Sequence, residues 1–232
     1  MMRLDRFLSK TLYITRKEAR LLLRQKRITL NGSITTKLGA IMDEHQDKVY
    51  FDGKELIYEE YSYYLINKPA GYVCAAKDAI NPTIIEYNPL FMQKKLHTVG
   101  RLDKNTTGVL ILTNNGEMTH KLISPKSKIF KTYFVNTSEM IPANLINIFA
   151  EGFNIDNEFK TMPAKLEILT ETTARLSIYE GKYHQVKRMF KTFGINVVKL
   201  HREQFGSLRV DDLEIGEFRK LTISDLEKLI KD

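Results

Sequence analysis

Cysteine is nearly missing from this chain. Cys74 stands alone among 232 residues, so no intrachain disulfide can form and a small secreted scaffold stapled by bridges is excluded. The five histidines, His45, His97, His120, His184 and His201, are scattered, and no Cys/His spacing suggests a zinc site. Long apolar runs are missing as well. No stretch approaches the roughly 20 residues needed to span a bilayer, and the N-terminus lacks a signal-peptide apolar region. These absences predict a soluble, cytoplasmic protein with no membrane partner. The chain also has no Walker-type phosphate loop and no dinucleotide-binding glycine fingerprint. No cofactor and no metal are expected. Internal repeats and low-complexity segments are absent too.

The charge is ordinary in amount and uneven in placement. Hydrophobic residues make up 43% and charged residues 28%, the balance of a soluble globular chain long enough for a real core. Residues 1–54 hold twelve Lys/Arg and six Asp/Glu, which leaves 24 basic and 22 acidic residues of the totals of 36 and 28 for the remainder. Most of the net charge of +8 therefore belongs to the first quarter. A basic module on a nearly neutral body is the electrostatic footprint of a nucleic-acid tether, although a solvated basic surface would look the same.

Leu4 to Leu12 reads as a helix with Leu4, Phe7 and Leu8 on one face and Arg3, Arg6 and Lys10 around it. A second helix opens on the capping box Thr15-x-x-Glu18 and continues through Ala19, Leu22 and Leu23. Its other positions carry Arg16, Lys17, Arg20 and Arg24. A membrane-surface helix would also be basic and amphipathic, but this one is short and leads directly into strand signals. Those are Ile28-Thr29-Leu30, Asn31-Gly32 and Ser33-Ile34-Thr35, then Val49-Tyr50-Phe51 with Asp52-Gly53. Asn-Gly between alternating residues predicts a hairpin. The polar stretch Glu55 to Glu60 reads as a linker, dividing residues 1–58 from a body of 59–232.

The body is organised around Gly100 to Gly116. Arg101 and Lys104 flank Asp103, and the apolar run Val109 to Leu112 follows, ended by Asn114-Asn115-Gly116. The run predicts a strand buried on both faces, with Asp103 in a loop at the edge of a rigid sheet. On spacing alone Asp103 reads first as a surface turn residue with ordinary ion-pair neighbours. Tyr63 to Ile66 predicts a strand, and Asn67-Lys68-Pro69-Ala70-Gly71 is turn chemistry. His120 to Lys131 reads as a connector rich in Lys and Ser, and Lys131 to Val135 as a strand. Gly181 ends a strand from Ala174 to Tyr179. Val186, Met189 and Phe190 then have helical spacing, with His184, Lys187, Arg188 and Lys191 projecting cations near the helix start.

Three of these stretches resemble one family. Gly100-Arg101-Leu102-Asp103, continued by Thr106-Thr107-Gly108 and Leu110-x-Leu112-Thr113-Asn114-x-Gly116, resembles the signature of pseudouridine synthases that modify ribosomal RNA. Many members have Asp where this chain has Asn115, and both suit a tight turn. Lys131-x-Tyr133 resembles the second signature. Glu180 to Phe190, continued by Val197 to Glu203, resembles the third in its RsuA-type wording, which belongs to enzymes acting on small-subunit RNA. Arg3-Leu4-Asp5-Arg6-Phe7-Leu8, Thr15-Arg16-x-Glu18-Ala19-Arg20 and Arg27 to Gly32 resemble an alpha-L RNA-binding domain, whose two helices lay a basic face on structured RNA.

The resemblance implies an α+β chain: a small alpha-L domain, then a synthase domain with a mixed, largely antiparallel sheet flanked by helices. It implies Asp103 as the catalytic carboxylate, Lys187 as the cation paired with it, and Tyr133 beside the uracil with its hydroxyl in reach for proton transfer. Leu200 would close the other face of the ring. Arg101 would fill the space left by a flipped-out uridine or hold the flanking phosphate. Lys182, His184 and Arg188 would contact the neighbouring backbone, and Arg16, Lys17, Arg20 and Arg24 would contact phosphates from the N-terminal domain. The implied partner is small-subunit ribosomal RNA, naked or in an assembling ribonucleoprotein particle, and a monomer is the default expectation. A synthase for large-subunit RNA and a non-catalytic ribosome-assembly protein remain alternatives. A glycosidase is disfavoured, because no second carboxylate sits in a recognisable partner motif.

Overall fold

The computed structural model describes the chain apart from residues 125, 126, 157 and 232 and the side chain of Lys231. It divides into two compact units, Met1–Tyr61 and Ser62–Asp232.

The first unit runs β1 (Met2–Arg3), α1 (Leu4–Leu12), α2 (Arg16–Arg24), β2 (Ile28–Leu30), β3 (Ser33–Ile34), β4 (Ile41–Met42), β5 (Val49–Phe51) and β6 (Lys54–Leu56). Leu4, Phe7 and Leu8 of α1 meet Ala19 and Leu23 of α2 in a core completed by Ile28, Met42 and Val49. The Thr15 hydroxyl accepts from the Glu18 amide while the Glu18 carboxylate accepts from the Thr15 amide, closing the capping box. Asn31 and Gly32 both take positive φ, +50° and +81°, the turn geometry that matches strand twist and fixes the β2–β3 hairpin. Asp52 and Gly53 repeat it between β5 and β6. The strand order is β3-β2-β5-β6. Glu55 and Leu56 therefore do not belong to a linker. They pair with Tyr50 and Val49, because the Asp52-Gly53 turn sends the chain back as a strand.

The second unit runs β7 (Tyr63–Lys68), α3 (Pro89–Gln93), β8 (His97–Val99), β9 (Thr107–Thr113), α4 (Gly116–Ile123) and β10 (Lys131–Thr137). It continues through α5 (Leu145–Glu151), β11 (Asn154–Ile155), β12 (Phe159–Lys160), β13 (Lys165–Thr170), β14 (Thr173–Ile178) and α6 (Gln185–Lys191). The chain ends with β15 (Val197–Phe205), β16 (Leu208–Arg209), β17 (Phe218–Lys220) and α7 (Ile223–Lys231). One mixed sheet carries the order β13-β14-β10-β15-β9-β7-β17, with β16 on β15 and β8 on β9. All of these pairings are antiparallel except β15 with β9, which is parallel and confined to His201↔Thr107 and Arg202↔Gly108.

Alternation along β7 and β9 places the two faces of the sheet in two cores. Tyr64, Ile66, Leu110 and Leu112 join Phe91 of α3, Phe149 of α5 and Met189 and Phe190 of α6. Leu65, Val109 and Ile111 join Leu122 of α4 and Leu229 of α7. β9 is thus buried on both faces, as its apolar run predicts. The connector reading of His120 to Lys131 needs correction: His120 to Ile123 are the second half of α4. The Asn115 side chain accepts from the Met118 amide at its start, and Met118 and Leu122 face the core. Helix α7 went unanticipated. Asn67 and Lys68 also belong to a strand, and the turn begins after them.

Candidate active site

The parallel contact between β9 and β15 sets the position of the loop that precedes β9. At Gly108 (φ +108°) an added Cβ would lie 2.2 Å from the Arg202 carbonyl oxygen, so only glycine lets the two backbones approach this closely. Arg202 is buried, and its Nε donates to the Val109 carbonyl at 2.7 Å.

The loop from Gly100 to Thr106 is held from behind by the side chains of Lys68 and Cys74. Lys68 is completely buried, and its ammonium donates to the carbonyls of Pro69, Asp103, Lys104 and Thr106 at 2.8, 3.4, 3.1 and 3.0 Å. Burial pulls this ammonium down to about 8, against the opposing pull of the Cys74 thiol and the Asp103 carboxylate. The Gly71 amide donates to the Lys104 carbonyl at 2.9 Å and the Leu102 amide to the Cys74 sulfur at 3.3 Å. Lys131 is also buried, donates to the Tyr179 carbonyl, and is drawn down to about 8 by burial. Lys68, Lys131 and Arg202 thus put three buried cations on the strands around this loop. Lys68 and Lys131 fall within the motifs quoted above, but no pattern marks any of the three as a buried cation.

In front of the loop the Asp103 carboxylate is partly exposed. Lys187 Nζ lies 3.1 Å from Asp103 Oδ2, and His184 Nε2 lies 3.5 Å from Oδ1. One cavity is lined by Arg101, Asp103, Tyr133, Lys182, His184, Lys187 and Leu200, with Leu102, Thr106, Ile178, Gly181, Gln185 and Val186 completing its wall. Tyr133 comes from β10 and Leu200 from β15, strands that are hydrogen-bonded neighbours, and both side chains are buried. Residues scattered over about a hundred positions of sequence are thus brought to one cleft of mixed wall, with apolar side chains such as Leu200 and Val186 beside cations and a carboxylate.

The segment before α6 is pinned by Gln185, which is buried. Its amide nitrogen donates to Glu180 Oε1 at 2.6 Å and its amide oxygen accepts from the Lys182 backbone at 2.9 Å. His184 takes the left-handed conformation (φ +49°), a cost of about 1 kcal/mol or more at a non-glycine residue, of the kind that concentrates at functional sites. That conformation carries the imidazole to Asp103. Tyr183 lies against the imidazole, with ring centroids 3.9 Å apart and planes 17° from parallel.

Not every candidate belongs to the cleft. Arg188 does not line it. Its guanidinium pairs with Asp156 at 3.0 Å and Glu158 at 2.7 Å, because it sits one helical step past Lys187 and faces the β11–β12 hairpin. Lys182 lies 3.5 Å from the Phe159 ring centroid and 3.7 Å from the Glu180 carboxylate. In the first unit, Arg16, Lys17 and Arg24 of α2 are exposed. Arg20 is committed instead to Asp5 at 3.0 Å, where Arg3 also donates at 3.0 and 3.1 Å. Among the described residues, no cluster of His, Cys, Asp and Glu could hold a metal ion, and no helix is long and apolar enough to cross a membrane.

Comparison with known proteins agrees with this architecture. Residues 62–192 match the RNA pseudouridylate synthase family model, and residues 2–47 match the S4 domain. The chain is 42% identical to the Haemophilus influenzae protein named ribosomal small subunit pseudouridine synthase A, over 99% of this chain and all of that one. The Escherichia coli protein of the same name is 39% identical with the same coverage. A crystal structure of a pseudouridylate synthase, 40% identical, superposes with a TM-score of 0.69 over 99% of this chain and 100% of that one. With a matching fold, a matching N-terminal module and full-length relatives, this chain belongs to the RNA pseudouridylate synthase family, in its RsuA-type branch bearing an S4 domain.

Proposed function

We propose that this protein isomerises a uridine of small-subunit ribosomal RNA to pseudouridine, with Asp103 as the catalytic carboxylate acting on a uridine turned out of its stack. The observation that carries this reading is the Lys187–Asp103 pair at 3.1 Å, at the edge of a cavity walled by Tyr133 and Leu200. The names of the full-length relatives supply the substrate class.

In the reaction the N1–C1′ bond of uridine breaks, the uracil turns, and a C5–C1′ bond forms as the C5 proton leaves. Nothing is oxidised, hydrolysed or phosphorylated, so the chemistry asks for a carboxylate, a route for one proton and a dry pocket. Asp103 serves as nucleophile or base on the detaching nucleoside. Lys187 holds that carboxylate in position through their ion pair. Tyr133 packs against the uracil with its hydroxyl available for proton transfer, and Leu200 closes the other face of the ring. Extruding a base costs a few kcal/mol when it is paired. Arg101 offsets that cost by entering the vacated space or by holding the flanking phosphate.

Lys182 and His184 contact the neighbouring RNA backbone, while Arg16, Lys17 and Arg24 bind phosphates that set position rather than sequence. Arg20 and Arg188, already paired with carboxylates, act by holding α2 and the β11–β12 hairpin. The enzyme works in the cytoplasm as a monomer, without cofactor or metal, on free RNA or on an assembling particle.

The test is carbodiimide-based primer-extension mapping of small-subunit RNA incubated with the protein. One new stop, made by the wild type and lost with Asp103→Asn, is the expected result. Absence of any stop on both naked RNA and partly assembled particles, with tight binding intact, would replace this reading with that of an RNA-binding assembly protein.

A further inference from the structure

Tyr183 is out of place for an aromatic residue. It shows 72% of its surface to solvent, and among the described residues the next most exposed aromatic, Tyr179, shows 44%. One ring face is covered by the His184 imidazole in a near-parallel stack at 3.9 Å. The opposite face is therefore the source of the exposure. The residue is not a loose surface side chain. The buried Gln185 ties the backbone of this segment to Glu180 on one side and to Lys182 on the other. The imidazole beneath Tyr183 is itself 3.5 Å from the Asp103 carboxylate.

The surroundings suit one kind of occupant. Tyr183 does not itself line the Asp103 cavity but lies between two residues that do, Lys182 and His184; of the cations on that lining, Arg101 and Lys182 are exposed and Lys187 is half-exposed. A flat apolar face among cations matches a nucleobase whose phosphates the cations hold. A protein partner would want a broad apolar patch, and here the ring is flanked in sequence by Lys182 and His184.

We propose that Tyr183 is a stacking platform for a nucleobase adjacent to the target uridine, and that the His184 imidazole backs it as the second layer of the stack. This rests on the pseudouridine synthase reading for the identity of the nearby uridine, though not for the stacking itself. A base held on Tyr183 fixes the RNA chain within one nucleotide of the cleft and couples its docking to the group beside Asp103.

The chain contains no tryptophan, so Tyr183→Trp introduces a single indole at the platform. With a transcript of small-subunit ribosomal RNA, the expected result is quenching of that indole on binding, reversed at high salt. In steady-state assays Tyr183→Ala should raise KM by about 5-fold to 150-fold, the range carried by one base–aromatic stack, with a smaller change in kcat. Tyr183→Phe should restore the wild-type KM. RNA retained by the Tyr183→Trp protein with unchanged indole emission would overturn the proposal, and so would Tyr183→Ala with a wild-type KM and a reduced kcat, which would mean that the ring only props His184. The two readings fail separately. Quenching without any pseudouridine formed by the wild type removes the synthase reading and leaves the platform, whereas pseudouridine formed with a silent indole removes the platform alone.

Discussion

Among the described residues, the completely buried charge in Met1–Tyr61 is the carboxylate of Asp5, and in Ser62–Asp232 it is the ammonium of Lys68. Each pins a segment proposed to meet RNA, α2 in the first case and the Asp103 loop in the second. The means differ. Asp5 is neutralised by the opposite charges of Arg3 and Arg20, and these guanidiniums hold its carboxyl at about 2 even though burial pushes the other way. Lys68 hydrogen-bonds to main-chain carbonyls, and burial outweighs the pull of the Asp103 carboxylate, bringing it down to about 8. A buried charge with paired ionic partners is stabilised in its charged form, whereas one held mainly by dipoles is held at a cost. The cost is tolerable where rigidity of a loop matters more than stability.

The most severe way to probe this contrast is Lys68→Met. It removes the donor shared by four carbonyls; those of Asp103 and Lys104 keep the Thr106 and Gly71 amides, while those of Pro69 and Thr106 each cost about 1–3 kcal/mol if left without a partner in the interior. The expected loss is about 3 kcal/mol or more in urea unfolding of the second unit, with activity lost as the loop relaxes. A loss below about 1 kcal/mol would mean that water reaches those carbonyls and that the lysine does not hold the loop.

Next in size is the acid limb of Asp5. Its folded carboxyl lies below the ordinary 3.8, so its contribution is fully present above that value and fades as pH falls towards about 2. Because Arg3 and Arg20 are partly solvated, screening limits the contribution to about 2 kcal/mol at most. Asp5→Asn should remove that amount at neutral pH and nothing near pH 2. An equal penalty at both pH values would assign the effect to packing rather than charge.

Lys68 gives a slope of the same sign in a higher window, where it reports a cost relieved rather than a contribution gained. Its folded value is lowered, so the unfolded chain binds more protons as pH passes about 8, and stability rises with pH. Between pH 8 and 9 the stability gap separating wild type from Lys68→Met should widen by about 1 kcal/mol. A gap that narrows would show that the carbonyls hold the ammonium more tightly than burial opposes it.

The smallest effect separates free cations from committed ones on α2. Lys17→Met should reduce the dependence of log Kd on log salt for RNA binding by a slope of about 1. Arg20→Met should leave that slope in place and lower stability instead. Matching losses of slope would make Arg20 an RNA ligand despite its tie to Asp5.

Much of this organisation was legible because it is local. The helices of the first unit follow from the spacing of Leu4, Phe7 and Leu8 and from the Thr15–Glu18 box. The hairpin follows from Asn31-Gly32, and β9 from an unbroken apolar run. Asp103, Tyr133 and Lys187 were found by motif, not by any local physical signal. What escaped depends on long-range folding. Lys68 sits in Asn67-Lys68-Pro69, where lysine and proline suggest an exposed turn, and its burial appears only when residues 35 to 38 positions later fold over it. Gly108 carries no sign of the Arg202 backbone it must admit. The exposed-looking polarity of His120 and Lys121 masked the Met118–Leu122 spacing that makes α4 a helix. Arg20 looked like one more cation on a basic face until α1 placed Asp5 beneath it.

Everything proposed for the cleft turns on the Asp103 carboxylate driving the isomerisation of uridine. The most direct test is release of tritium from small-subunit RNA labelled at uridine C5, measured under single-turnover conditions with wild type and Asp103→Asn. The expected result is stoichiometric release by the wild type and a rate lower by about 10³-fold or more in the variant, with RNA affinity retained. Release by Asp103→Asn at a rate near that of the wild type would contradict it.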